Sequence, residues 1–114
     1  MKKKFQDAFR GVSLGFRDAS IRQQWILAAM ALCAAIVLRL DLYEWLSVII
    51  CIAMVIVSET FNTAIEKVCD LYSTEYNEKI QYIKDLSASA VLLASLAALV
   101  CALVILIRHI GGMA

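Results

Sequence analysis

A chain of 114 residues, 62% hydrophobic and 18% charged, with no proline and a mean hydropathy of +0.78, is too apolar for a soluble domain, where roughly 45–50% of residues are apolar. The formal net charge of +1 says little by itself, and no nucleic-acid partner is expected; the charges are few and gathered in a few places. The apolar runs are long and continuous rather than short and alternating, which favours membrane-spanning helices over a β-barrel.

The chain starts basic, with Lys2, Lys3 and Lys4. Phe5, Phe9, Val12 and Phe16 recur at helical spacing on one face, while Lys4, Arg10 and Arg17 lie away from it. This pattern predicts an amphipathic helix over about 3–20, lying in the membrane interface. Asp18 and Arg22 are four apart, the spacing of an ordinary helix ion pair contributing about 0.2–0.5 kcal/mol. Trp25 to Leu38 carries no charge; with Ile21 before it and a snorkelling Arg39 after it, the first span is expected over about 23–42. Trp25 and Trp45 fit interfacial anchors.

A brief connection from Asp41 to Glu44 makes the first two spans an antiparallel hairpin, with span two over about 45–70. Ser73 and Thr74 are N-cap candidates for a short connecting helix over Glu75 to Asp85. Span three is expected over about 84–108, and its serines and alanines, Ser87 to Ala98, give it a small-residue surface suited to close packing in lipid. The whole chain, 1–114, reads as a single integral-membrane domain. Lysine and arginine concentrate in the N-terminal segment and between spans two and three. That predicts a cytoplasmic N-terminus and an external C-terminus in a prokaryotic cell membrane.

The chemistry gathers in the stretch SETFNTAIEKVCDL, Ser58 to Leu71. Glu59, Asn62, Glu66 and Asp70 stand at offsets of three, seven and eleven, within one narrow helix face. An acid inside an apolar helix costs about 2.5–3.5 kcal/mol on insertion scales and usually faces a cavity or a partner. The predicted topology brings Asp18, Arg22, Lys84 and Asp85 to the same cytoplasmic leaflet. Carboxylates there suit Mg²⁺ together with substrate phosphates, a lysine suits a phosphate, and a deeper carboxylate could take a proton from a lipid hydroxyl. That set serves phosphoryl transfer from a soluble nucleotide to a membrane alcohol. No GxxxxGK[ST], GxGxxG, HRD or DFG occurs, so a conventional kinase fold is excluded. The residues alone leave a cation-coupled carrier or channel subunit open, and also simple interhelical hydrogen bonding for assembly. Cys33, Cys51, Cys69 and Cys101 form no CxxC pair and read as small buried hydrophobes. The only histidine, His109, is near the C-terminus, so a general base here is a carboxylate.

The succession SETFNTAIEKVCDL, STEYNEK and IKDLSASAVLLAS resembles the small prokaryotic diacylglycerol kinase and undecaprenol kinase family over nearly the whole chain. The resemblance implies an all-α membrane protein, an interfacial helix followed by three transmembrane helices, assembled as a homotrimer with shared active sites. It implies an ATP-dependent lipid kinase using Mg²⁺. Glu59 matches the catalytic base, and Asn62 supports it and the phosphates. Glu66 matches a metal-binding carboxylate of Mg-ATP. Asp18 stands where the family commonly has a second metal-binding glutamate, which shortens its reach by one methylene. Lys84 and Asp85 match the nucleotide-binding pair; Glu75, Tyr76 and Asn77 match the segment against the nucleoside, and Asp70 a nearby acid of that pocket. Arg22, with Gln23, continues the Asp18 pattern toward the lipid substrate. Glu44-Trp45 and the Phe-Asn-Thr inside the motif look more like undecaprenol kinases, whereas Arg22-Gln23 and Glu75-Tyr76 resemble the diacylglycerol branch. Undecaprenol is the favoured lipid, diacylglycerol the alternative, and a cation-coupled carrier subunit the remote one.

Overall fold

The computed structural model describes residues 1–113, whose regular elements are all α-helices, with no strand among them. The order is α1 (Lys2–Gly15), α2 (Ala19–Leu38), α3 (Leu42–Tyr72) and α4 (Glu78–Met113). The last three are long and apolar enough to cross a membrane. With 20 residues, α2 is about 30 Å long, the thickness of the hydrocarbon layer. At 31 and 36 residues, α3 and α4 outrun that thickness and carry their polar ends beyond it.

Local chemistry sets the boundaries. Arg39 takes a left-handed backbone (φ 55°, ψ 61°), the only non-glycine residue with positive φ among those described. Its N–H donates to Ile36 O and that of Leu40 to Ala35 O, the paired bonds of a Schellman termination. The hydrophobic contact that accompanies this motif is present, since Ala35 and Leu40 are buried together with Ile105, against Leu38, Trp45 and Val48. Asp41 then opens α3 with a reciprocal capping box: its Oδ1 accepts the Glu44 N–H at 2.9 Å, and Glu44 Oε1 accepts the Asp41 N–H at 3.1 Å.

The middle element is α3, packed on α2 along one side and on α4 along the other. The buried positions of α2 are Ile21, Ala28 and Ala35, spaced by seven, so one narrow stripe with two alanines allows close approach. Down the α3–α4 seam the partners run in opposite senses: Asp70 with Lys84, Asn62 with Ser87, Glu44 with His109. The two helices are therefore antiparallel. An apolar groove of about 340 Å³ lies between the three helices, lined among others by Leu27, Ala31, Val55, Ile56, Ser95 and Leu99.

Four expectations are corrected. The N-terminal helix ends at Gly15, not near 20; a turn over Phe16–Asp18 follows, and Asp18 becomes the N-cap residue of α2. The first span accordingly begins earlier and ends earlier than 23–42. No separate connecting helix forms over Glu75 to Asp85. Ser73 terminates α3, and Asn77 opens one continuous α4, its Oδ1 accepting the N–H groups of Lys79 at 2.8 Å and Ile80 at 3.3 Å. Of the cysteines only Cys69 is buried; Cys33 is exposed, and Cys51 and Cys101 lie half-buried along the groove. In α1 no residue is buried, and Phe5, Phe9 and Val12 stand outward, while Phe16 in the following turn stacks on Trp25 with ring centroids 5.4 Å apart.

Candidate active site

The polar face of α3 grades from inside to outside. Glu59 is only 7% exposed and Asn62 is buried, whereas Glu66 and Asp70 are exposed. At about 1.5 Å per residue, Glu59 stands about 10 Å deeper along the helix than Glu66 and about 16 Å deeper than Asp70. The charge-free run before Glu59 fixes that depth, because the apolar part of the helix must sit in lipid and the acid enters with it.

Asn62 is the junction of the site. Its Nδ2 donates to Glu66 Oε1 at 3.0 Å, one turn on, and its Oδ1 accepts from Ser87 Oγ of α4 at 2.6 Å. Both amide functions are satisfied, so the side chain has one orientation. About two turns further out from Asn62, Lys84 Nζ of α4 donates to Asp70 Oδ1 at 2.8 Å. On the other side, Asp18 at the start of α2 pairs with Lys67 Nζ of α3 at 3.3 Å. That contact brings the start of α2 to the residue that directly follows Glu66. Elements distant in sequence thus converge on one end of α3: Asp18 from α2, Ser87 and Lys84 from α4.

Other expected residues stand elsewhere. Arg22 does not pair with Asp18. Its Nη1 donates to the carbonyls of Phe16 at 2.8 Å and Arg17 at 3.2 Å, which closes the turn after α1. Glu75 and Tyr76 lie in the connection between α3 and α4, where the Glu75 N–H donates to Ser73 Oγ and Tyr76 is 80% exposed. Asn77 is engaged as the cap of α4, and Asp85 accepts from Gln81 Nε2 at 2.8 Å. Sequence reasoning missed two participants, Lys67 and Ser87. Lys67 adjoins Glu66 and could have been noted as a counter-charge. Ser87 was read only as part of a small surface, and nothing local to it signals a partner 25 residues away.

Among the described residues no three His, Cys, Asp or Glu side chains gather into a metal-binding cluster. A cation bound together with nucleotide phosphates does not require one, since one or two carboxylates suffice. Glu66 has one oxygen engaged by Asn62 and belongs to an exposed side chain, and Asp18 lies on the adjoining helix. The donor set is compatible with Mg²⁺ carried by a polyphosphate.

Three membrane-length helices, with carboxylates, an amide and a lysine gathered at one end, define a small helical membrane protein with a polar site at the membrane boundary. The model of the prokaryotic diacylglycerol kinase family matches residues 6–106. The diacylglycerol kinase of Escherichia coli (strain K12) is 31% identical over 94 residues, covering 82% of this chain and 77% of that protein. The diacylglycerol kinase of Shigella flexneri matches to the same extent. The chain belongs to the prokaryotic diacylglycerol kinase family and is a lipid kinase with ATP as co-substrate.

Proposed function

We propose that this protein transfers the γ-phosphoryl group of ATP to the hydroxyl of diacylglycerol, giving phosphatidate. The name carried by its relatives supports diacylglycerol over the undecaprenol favoured by the sequence reading. Of the two features behind that preference, the Phe-Asn-Thr of the motif and the Glu44-Trp45 pair, the second offers no counterweight. Glu44 is engaged by His109 and lies 15 residues before Glu59 (59 − 44), about 22 Å along α3 and far from any headgroup at the acidic face.

The observation that carries the mechanism is the gradient along α3, with a buried carboxylate, Glu59, two turns inside an exposed one, Glu66. In this reading Glu59 meets the lipid hydroxyl at membrane depth and accepts its proton. Glu66, with Asp18 held at the neighbouring Lys67, would hold the Mg²⁺ of Mg-ATP, which neutralises phosphate charge when bound. Lys84 exchanges Asp70 for a phosphate oxygen, and Asp70, Glu75, Tyr76, Asn77 and Asp85 form the nucleotide's surroundings. Asn62 holds Glu66 in place, and Arg22 braces the turn under which the lipid headgroup arrives. The chain lies in a prokaryotic cell membrane with its N-terminus and site cytoplasmic, α1 rests in the interface on its phenylalanines, and three copies assemble with shared sites. Outward-facing apolar surface on all three long helices is what lipid and partner subunits together would cover.

The test is transfer from γ-labelled ATP by purified protein in mixed micelles, with diacylglycerol or undecaprenol supplied separately, with Mg²⁺ or chelator. Preferential, Mg²⁺-dependent labelling of diacylglycerol is expected. Preferential labelling of undecaprenol would overturn the choice of lipid and leave the chemistry standing.

A further inference from the structure

Ser87 is 9% exposed, about one turn further along α4 than Lys84 and facing the buried part of the polar face of α3. Its hydrogen bond to Asn62 is the first of two in series: Ser87 Oγ to Asn62 Oδ1 at 2.6 Å, then Asn62 Nδ2 to Glu66 Oε1 at 3.0 Å. The direction of the series is dictated from its far end. An ionised carboxylate only accepts, so Asn62 must present its NH₂ to Glu66. The amide oxygen then faces α4, and only a donor can satisfy it there. A serine hydroxyl can donate; an alanine or glycine cannot. Without that donor, Asn62 Oδ1 is left buried and unpaired, a cost that turning the amide relieves only by setting its oxygen against the Glu66 carboxylate.

We propose that Ser87 is a positioning residue of the phosphoryl-transfer site: through Asn62 it holds the Glu66 carboxylate with one oxygen engaged and the other uncommitted for the divalent cation of the nucleotide complex. This rests on the kinase reading above. Glu66 is an exposed, flexible side chain, and one clamped oxygen removes much of the rotamer freedom that cation binding would otherwise have to remove. Partners of this kind, one bond behind a metal-binding group, typically change metal affinity by about 10- to 100-fold when removed.

The experiment compares wild type with Ser87→Ala, Ser87→Thr and the control Ser89→Ala, whose hydroxyl bonds only to Leu86 O within its own helix. Two quantities are read: the Mg²⁺ concentration for half-maximal lipid phosphorylation, and the affinity for Mn²⁺ in the presence of a non-hydrolysable ATP analogue, by electron paramagnetic resonance. For Ser87→Ala both should weaken by about tenfold, with the rate at saturating Mg²⁺ changed much less. Ser87→Thr, which restores the donor, should return both to near wild type, and Ser89→Ala should move neither. If Ser87→Ala does not fold, Ser87→Cys keeps the volume with a weaker donor and should show the same shift in lesser degree. Unchanged cation affinity in the donor-deficient variant, or no recovery with threonine, overturns the proposal. A wild-type protein that labels no lipid overturns the kinase reading instead, and the Mn²⁺ measurement still decides the role of Ser87.

Discussion

Glu44 and His109 meet across 65 residues of sequence, with His109 Nε2 3.0 Å from Glu44 Oε1 and 3.1 Å from Oε2. Glu44 is 4% exposed and also receives Arg108 Nη1 at 3.5 Å, while Arg108 Nη2 reaches Asp41 at 3.7 Å. One carboxylate thus closes the capping box of α3 and ties the first turn of that helix to the end of α4. This clasp sits at the opposite end of α3 from Asp70 and Lys84, so the long antiparallel pair is fastened at both ends.

Removing the acid should therefore hurt the fold and spare the chemistry. Glu44→Ala leaves His109 without its carboxylate partner, frees Arg108 to Asp41 alone and removes half of the capping box, and should destabilise by about 2 kcal/mol. His109→Gln, which keeps a donor, should cost about 1 kcal/mol. Unfolding in detergent by denaturant measures both, and phosphoryl transfer per folded molecule should stay at the wild-type level.

At the other end, Lys67 occupies Asp18. If Asp18 binds the cation, Lys67 competes with it. Asp18→Asn should raise the Mg²⁺ needed for half-maximal activity by about tenfold, Lys67→Ala should lower it, and Asp18→Glu, by restoring a methylene of reach, should lower it as well. Mg²⁺ titrations at fixed ATP check all three. A Mg²⁺ requirement unaffected by Asp18→Asn removes this residue from the metal role.

Glu59→Gln keeps the size of the side chain and removes its basicity. Turnover should fall by at least 10²-fold, the lower end of what a general base contributes. Binding of Mg-ATP, measured by calorimetry, should persist, because Glu59 lies two turns below Glu66. Retained turnover would take the base role away from Glu59.

Arg39 offers a change in the other direction. A left-handed backbone costs an L-residue roughly 1–2 kcal/mol, and glycine takes it without that cost. Arg39→Gly should raise stability by up to about 1 kcal/mol, read as a higher thermal midpoint in detergent; an unchanged or lower midpoint shows that the left-handed turn carries no recoverable strain.

The three long helices and the acidic face were legible because one signal, the absence of charge over a membrane's thickness, dominates such a sequence. Where that signal faded, local rules competed. Ser73 and Thr74 looked like the better caps, yet Asn77 took the role, since helical residues after Glu78 continue into α4 without interruption. Asp41 and Glu44 carry the spacing of a capping box, which was readable and passed over. Arg22 was beyond local rules: four residues from Asp18, it found better acceptors in the carbonyls left open by the turn at Phe16 and Arg17, and Asp18 found Lys67. Pairings such as Asn62–Ser87 and Glu44–His109 depend on the register of α3 against α4, which no periodicity within either helix encodes.

The sparse interior has a consequence for how such a protein can change over time. Among the described residues few apolar side chains are enclosed: Ile21, Ala28 and Ala35 of α2, Leu40, Cys69, and Ala94 and Ile105 of α4. Where a side chain faces lipid, an exchange among leucine, isoleucine and valine opens no cavity and forces no neighbour aside, because the neighbour is fluid. Drift at those positions is nearly free so long as the side chain stays oily, and such positions are where a chain 31% identical to a relative can differ from it at least cost. What the fold cannot leave to lipid is a short set of polar pairings, made mostly by α3 and answered from the two ends of α4.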